Sequence, residues 1–152
     1  MSHRKSYAKV EDYMTRSPFV IEPGAPISQA VQLMRERNIR HLPVQFGERL
    51  VGIVSDRALK AASLSKWADQ LKVSDIMVAD PYIILSDTRV EDVVDHMIQE
   101  KIGSVLVTNL KSELVGIFTT IDALKILRAA IQEHPPKEGH HCTGHGCSNH
   151  DR

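Results

Sequence analysis

The chain is short of cysteine, and this limits how its fold can be held together. Of its 152 residues only Cys142 and Cys147 are cysteines, and both lie near the C-terminus. A disulfide framework, which many small secreted domains use, is therefore excluded for the body of the chain. There is no run of about 20 apolar residues that could span a bilayer. No hydrophobic segment follows the basic residues at the N-terminus, as a secretory signal requires. We therefore expect a cytoplasmic protein.

The chain also has no excess of either charge. Lysine plus arginine and aspartate plus glutamate both number 19, so no overall field attracts nucleic acid or an anionic membrane. The 42% hydrophobic and 25% charged residues are ordinary for a soluble globular domain. We find no Ser/His/Asp order, no phosphate-binding glycine loop and no metalloprotease helix. We therefore do not expect an enzyme.

What the chain does contain is a long internal repeat. The sequence Val-Glu-Asp-Tyr-Met that starts at Val10 is matched, 63 positions later, by Val-Ser-Asp-Ile-Met from Val73. Further along, Leu-Val-Gly-Ile around Gly52 recurs around Gly116, at an offset of 64. Two copies are too few for a solenoid. The pattern predicts a duplicated unit whose halves face each other across a pseudo-two-fold axis, where clefts occur in pairs.

Hydrophobic periodicity predicts the same element order in both repeats: short helix, strand, helix, strand, strand, helix. The spacing of Ile27, Ala30 and Met34 predicts a half-buried helix, and the second repeat has the same stripe from Val90. We divide the chain into a first motif at 8–63, a linker at 64–72, a second motif at 73–133 and a tail at 134–152. Trp67 is expected to pack the linker onto the body.

Short motifs in both repeats support a family resemblance. Arg-His-Leu-Pro-Val from Arg40, Gly-Ile-Val-Ser-Asp-Arg from Gly52 and Gly-Ile-Phe-Thr-Thr-Ile-Asp from Gly116 resemble a tandem pair of CBS domains, the cystathionine-β-synthase-type regulatory motifs. The resemblance spans 10 to about 127. It implies an α/β (α+β) fold of two pseudo-symmetric motifs, each a three-stranded sheet with two packed helices. It also implies a homodimer that binds an adenosine-containing ligand such as AMP, ADP or ATP between the motifs and regulates another protein.

The resemblance implies a ribose contact at Ser/Thr-x-x-Asp, which the second repeat keeps at Thr119 and Asp122. A carboxylate there can accept hydrogen bonds from both ribose hydroxyls, and the helix N-terminus favours a phosphate. The first repeat has Ala58 at the matching position, so we expect one competent site and one degraded or differently used site. Asp56 is about 200° around the helix and cannot replace the missing carboxylate. The alternative is that Asp122 is an ordinary acid at a helix start.

Five further residues are candidate contacts by family analogy. Ile83, Gly103 and Val105 would hold the base, although Ile83 and Val105 also fit a hydrophobic core and Gly103 also fits a helix cap. Arg40 and His41 would reach across the axis to the phosphates. A solvated surface pair is an equally good interpretation of those two.

The tail contains closely spaced soft-metal ligands. Cys142, His145, Cys147 and His150 could complete a tetrahedral Cys2His2 zinc site. A histidine-rich tail that binds metal opportunistically is the alternative. Two functions therefore compete: a stand-alone sensor of an adenosine-containing ligand, and a metal-binding protein that acts through its tail with the CBS pair as a dimerisation scaffold.

Overall fold

The structure is a computed structural model that describes residues 7–135. Seven strands and five α-helices alternate along this part of the chain. In order, they are β1 (Thr15–Arg16), α1 (Ile27–Arg37), β2 (His41–Phe46), β3 (Arg49–Ser55), α2 (Asp56–Ser63), α3 (Val73–Ile76), β4 (Val78–Ala79), β5 (Ile83–Leu85), α4 (Val90–Glu100), β6 (Ser104–Thr108), β7 (Leu114–Thr119) and α5 (Thr120–Glu133). Short 3-10 turns at Val10–Asp12 and Ala68–Gln70 precede β1 and α3.

The strands form two separate sheets. One has the order β2-β3-β4, and the other has the order β1-β7-β6-β5. Each is built around the hairpin that the sequence predicts, β2–β3 or β6–β7, while β5 lies parallel to β6. In the first repeat the counterpart of β5 is a single parallel bridge between Ile21 and Val44. The predicted mixed fold with two pseudo-symmetric motifs is confirmed.

The two repeats exchange their first segments. Strand β1 of the first repeat pairs with β7 of the second, and β4 of the second pairs with β3 of the first. Val10 accordingly lies in the core with Val105 and Phe118, whereas Val73 lies in the core with Leu42. Each core therefore needs residues from both repeats, and the sequence duplication does not coincide with two separately packed bodies.

Two glycines make room for the exchanged segments. A Cβ added at Gly52 would lie 2.7 Å from the Met77 sulfur and 2.8 Å from the Val78 carbonyl oxygen. A Cβ added at the equivalent Gly116 would fall inside the Met14 side chain. Met77 thus crosses β3 at Gly52, and Met14 crosses β7 at Gly116. A glycine inside a strand often marks such a close approach.

The linker packs through its aliphatic residues. Ala68 and Leu71 contact the core of the first repeat, while Trp67 is 54% exposed with the Lys66 ammonium 5.1 Å from its ring centroid. The prediction that Trp67 anchors the linker is therefore wrong. Among residues 7–135 no helix combines the length and the apolar character needed to cross a bilayer.

Candidate functional site

Asp122 lies in the first turn of α5, directly after β7. Its side chain is only 6% exposed. Its Oδ2 atom accepts hydrogen bonds from the Thr119 backbone N–H (2.8 Å) and the Thr119 hydroxyl (3.1 Å). This capping box satisfies donors that the helix start would leave unpaired. Within residues 7–135, no hydrogen bond reaches the other oxygen, Oδ1, which leaves it able to accept from a ligand.

The first repeat uses a different arrangement at the equivalent junction. Ser55 caps α2 by accepting the Ala58 backbone N–H at 3.2 Å. The nearby Asp56 carboxylate pairs through Oδ2 with Lys60 (2.8 Å) and Arg40 (3.1 Å). The hydrogen bond from Lys60 is the main cause of the lowered pKa of Asp56, and Arg40 lowers it further. Asp56 is therefore engaged as an anion, and it does not take the place of the carboxylate missing at Ala58.

A cavity of about 410 Å³ lies between the repeats, and we call it the Ala58 cavity. Ser55, Arg57 and Ala58 line it from the first repeat, and Lys101 and Gly103 line it from the second. His41 forms another part of its wall. The cleft is therefore built across the repeats, with the β3–α2 junction of one facing the α4–β6 junction of the other.

His41 lies close to Gly103 near the pseudo-two-fold axis. Its Nε2 atom is 3.9 Å from the position that a Cβ on Gly103 would occupy. Burial lowers the pKa of His41 below its usual 6.5, and the Asp56 charge acts in the opposite direction. His41 is thus held mainly neutral near physiological pH.

The backbone at the axis follows the pseudo-symmetry. The Gly103 carbonyl accepts the Thr120 N–H at 3.0 Å, and the Arg40 carbonyl accepts the Asp56 N–H at 2.8 Å. Arg40 and Gly103 therefore occupy matching places in the two repeats, as their offset of 63 predicts.

Applying the repeat offsets to the Ala58 cavity defines its partner, which we call the Asp122 cleft. Ser55 and Ala58 become Thr119 and Asp122, while Gly103 and Ser104 become Arg40 and His41. The members of the Asp122 cleft used below are Asn38, Arg40, His41, Thr119, Ile121 and Asp122. The repeat symmetry therefore predicts that four of the residues selected from the sequence, Arg40, His41, Thr119 and Asp122, share one cleft. In the structure Arg40 pairs with Asp56, and His41 also lines the Ala58 cavity.

The other three selected residues line other cavities or the core, although the Gly103 carbonyl also accepts the Thr120 N–H beside Thr119. Gly103 lines the Ala58 cavity. Val105 is fully buried opposite Phe118 in the core. Ile83 is 42% exposed on β5 and lines a separate cavity of about 490 Å³ beside Arg49. Sequence reasoning took these three base contacts from the second repeat, and the phosphate contacts Arg40 and His41 from the first. It did not name Lys101, which lines the Ala58 cavity from the second repeat.

The proposed zinc ligands Cys142, His145, Cys147 and His150 lie outside the described residues. Within 7–135, no group of three or more histidine, cysteine, aspartate or glutamate side chains is placed to hold a metal ion.

Comparison with known proteins identifies the architecture. A family model for the CBS domain matches twice, at residues 10–65 and 73–129. The chain belongs to the CBS domain family. Both matches include the segments that the repeats exchange, so the family unit is the sequence repeat.

Relatives of this CBS pair include both enzymes and small proteins. It is 31% identical over 118 residues to the inosine-5'-monophosphate dehydrogenase of Korarchaeum cryptofilum, and the match covers 78% of the chain but only 24% of the dehydrogenase. Among solved structures it is similar to AcuB from Vibrio cholerae, a protein provisionally assigned to acetoin utilization, at 31% identity and a TM-score of 0.72, over 88% of this chain and 99% of AcuB. It is also similar to CBSX2, solved in complex with AMP, at 28% identity and a TM-score of 0.69, over 82% of this chain and 97% of CBSX2.

Proposed function

We propose that this CBS pair is a regulatory module that binds an adenosine-containing ligand in the Asp122 cleft. The observation that carries the proposal is the buried Asp122 carboxylate, which is fixed through one oxygen by Thr119 and keeps the other free of protein hydrogen bonds within residues 7–135. The similarity to CBSX2, which was solved with AMP, supports this ligand class.

The chemistry of the cleft suits a nucleotide. A carboxylate already oriented by two hydrogen bonds can accept from the ribose hydroxyls, and hydrogen bonds to a charged acceptor are stronger than neutral ones. The N-terminus of the 14-residue helix α5 favours negative charge. Arg40 brings a guanidinium that is mostly exposed and can turn from Asp56 towards a phosphate. The cleft therefore offers a carboxylate to the ribose of a ligand, and a helix N-terminus and a guanidinium to its phosphate.

We further propose that the module acts as a homodimer that signals to a regulated protein and carries out no reaction itself. Helix α5 supports the dimer, because it has a stripe of four half-exposed apolar side chains, Ile121, Leu124, Leu127 and Ile131. A continuous exposed apolar surface is typical of an interaction site. In a symmetric dimer the same stripe would meet its copy.

The decisive experiment compares AMP binding to the unmodified chain and to Asp122→Asn by calorimetry. Asparagine keeps an oxygen for the Thr119 N–H but removes the charge. Losing hydrogen bonds to a charged group costs about 1.5–3 kcal/mol, so we expect the Kd for AMP to rise by at least about tenfold. Saturating AMP should also raise the Tm of the unmodified chain by roughly 5–10 °C.

Asp75→Ala is the matched control for the loss of a helix cap. Asp75 accepts the Lys72 N–H at 2.8 Å in the same type of capping box, so this variant loses a cap without touching the Asp122 cleft. It should bind AMP like the unmodified chain. If Asp122→Asn binds AMP with unchanged affinity, or if AMP, ADP, ATP and S-adenosylmethionine all leave the Tm unchanged, the proposal is wrong.

A further inference from the structure

The outer surfaces of the two helix pairs differ, although the packing beneath them matches. Met34 of α1 lies in the core of the first repeat, and Met97 of α4 has the same place in the second. Between α1 and α2, two adjoining cavities of about 620 and 630 Å³ share Val31, Arg35 and Ser63 and form a groove, which we call the α1–α2 groove. The exposed residues that line it on α1, on α2 and at the α2 C-cap are Ser28, Gln32, Arg35, Glu36, Lys60, Ala61, Ser63 and Leu64.

The matching surface of the second repeat is more apolar, and we call it the α4–α5 face. At offsets of 63 on α4 and 64 on α5, its eight residues are Glu91, Asp95, Ile98, Gln99, Leu124, Lys125, Leu127 and Arg128. Ile98, Leu124 and Leu127 stand where the α1–α2 groove has polar side chains. These three are 68%, 52% and 53% exposed. Exposed apolar side chains that share one side of a molecule are typical of an interaction site.

The charges of the α4–α5 face fit a second copy of the same face. Helix α4 contributes Glu91 and Asp95, and α5 contributes Lys125 and Arg128. All four are exposed, and Asp95, Lys125 and Arg128 belong to no ion pair within residues 7–135. In a two-fold contact a surface meets a rotated copy of itself. The acids of α4 in one copy can therefore lie against the cations of α5 in the other.

The α1–α2 groove lacks this fit to a second copy. Its acid Glu36 already accepts a hydrogen bond from Gln32 at 2.8 Å. Its cation Lys60 already pairs with Asp56 at 2.8 Å. Burying Arg35 and these engaged groups against a copy would remove their water without supplying complementary partners, and such desolvation opposes association. The groove is therefore more favourably left in contact with water.

We propose that the homodimer is one-sided: the α4–α5 faces of the two second repeats hold it together, and the α1–α2 grooves stay exposed. This inference rests on the homodimer of the proposed function and adds which surface forms it. The apolar stripe of α5 meets its copy, Ile98 extends the contact onto α4, and the acids and cations of the face pair between the copies. The first repeat remains accessible in the dimer.

Sedimentation of the full chain compares two matched variants. Ile98→Glu with Leu127→Glu places two carboxylates on the α4–α5 face, and Arg35→Glu with Ser63→Glu places two at the same positions of the α1–α2 groove. The first variant should raise the dimer Kd at least about a hundredfold, because each change occurs twice in a symmetric contact. The second should leave the Kd within about threefold of the unmodified value. A metal chelator prevents the tail from joining two copies through a metal ion.

A reversal of charge tests the pairing between the copies. Lys125→Glu with Arg128→Glu should raise the dimer Kd at least about tenfold, since acids would then face acids. Adding Glu91→Lys and Asp95→Lys should recover most of that loss, because every pair is then restored with its signs exchanged. A variant that is merely misfolded would not recover, and circular dichroism checks the fold of each one.

The inference is overturned if the dimer survives Ile98→Glu with Leu127→Glu, if the groove variant dissociates it equally, or if the reversed charges do not recover it. A monomeric unmodified chain would overturn the homodimer itself and this inference with it. None of these results bears on the Asp122 cleft, which is tested by the effect of Asp122→Asn on AMP binding.

Discussion

Replacing Gly116 with alanine tests whether the exchanged segments hold the two repeats together. The added Cβ would fall inside the Met14 side chain, which packs across β7. Overpacking of this kind typically costs about 1–3 kcal/mol, and we expect the free energy of unfolding to fall by that amount. Met14→Ala alone removes a buried side chain and should cost about 2–5 kcal/mol. The double variant has no such overlap. Its loss of stability should therefore be smaller, by about 1–3 kcal/mol, than the sum of the losses in the two single variants.

The equivalent pair in the other sheet should behave differently. At Gly52 the added Cβ would meet the Val78 carbonyl oxygen at 2.8 Å as well as the Met77 sulfur at 2.7 Å. Removing the Met77 side chain leaves the contact with the backbone of β4 in place. Gly52→Ala should therefore remain destabilising when Met77→Ala is added. At Gly116, by contrast, Met14→Ala should remove most of the destabilisation caused by the added Cβ.

Urea unfolding followed by circular dichroism measures these differences. With a slope of about 2 kcal/mol per molar urea, a loss of 2 kcal/mol lowers the midpoint by about 1 M. Gly24→Ala is the control, since an added Cβ there has no atom within 4 Å, and its stability should change by less than about 1 kcal/mol. If Gly116→Ala is as stable as Gly24→Ala, or if the Met14 and Gly116 losses simply add, the exchanged packing is refuted.

Two further predictions concern pH and assembly. Because burial lowers the pKa of His41 below 6.5, the unfolded chain binds a proton at a pH where the folded chain does not. The stability that this contributes is fully present above pH 6.5 and is lost as the pH falls through the folded pKa. The free energy of unfolding, measured in urea, should therefore fall less between pH 7.5 and pH 5 for His41→Gln than for the unmodified chain. An equal fall in both would contradict the reasoning. For assembly, Leu124→Glu with Leu127→Glu should convert the dimer to a monomer in light scattering, whereas Leu110→Glu, an exposed leucine in the β6–β7 loop, should not. A monomeric unmodified chain would exclude the dimer.

The duplication and the element order could be predicted from the sequence because both depend on local patterns. The hairpins and the apolar stripes of α1 and α4 follow directly from residue spacing. The capping chemistry at Asp122 was also predictable, since a Ser/Thr-x-x-Asp pattern at a strand end commonly starts a helix.

The exchange of segments could not be predicted, because the repeats are alike. Val10 and Val73 occupy the same place in their repeats, so either could pack in either core with the same hydrophobic gain. The choice depends on the path of the chain between elements, which residue spacing does not encode. The same ambiguity affects the site, because Gly103 lines the Ala58 cavity while its carbonyl accepts the Thr120 N–H at the β7–α5 junction. The prediction for Trp67 failed for a simpler reason. The smaller side chains of Ala68 and Leu71 make the contact between the linker and the core of the first repeat.

The exchanged architecture also explains how the two clefts can differ without disturbing the fold. Positions that hold the repeats together match in both halves, as Met14 with Met77 and Gly52 with Gly116 show. Several positions that line the clefts do not match, and some of these are exposed, such as Arg57 and its counterpart Ile121, whereas Asp122, opposite Ala58, is buried. Exposed substitutions usually change stability by less than about 0.5 kcal/mol, whereas a change of charge in a cleft alters which ligand binds. A duplicated core of this kind can therefore keep its packing while the residues that line its two clefts diverge in charge.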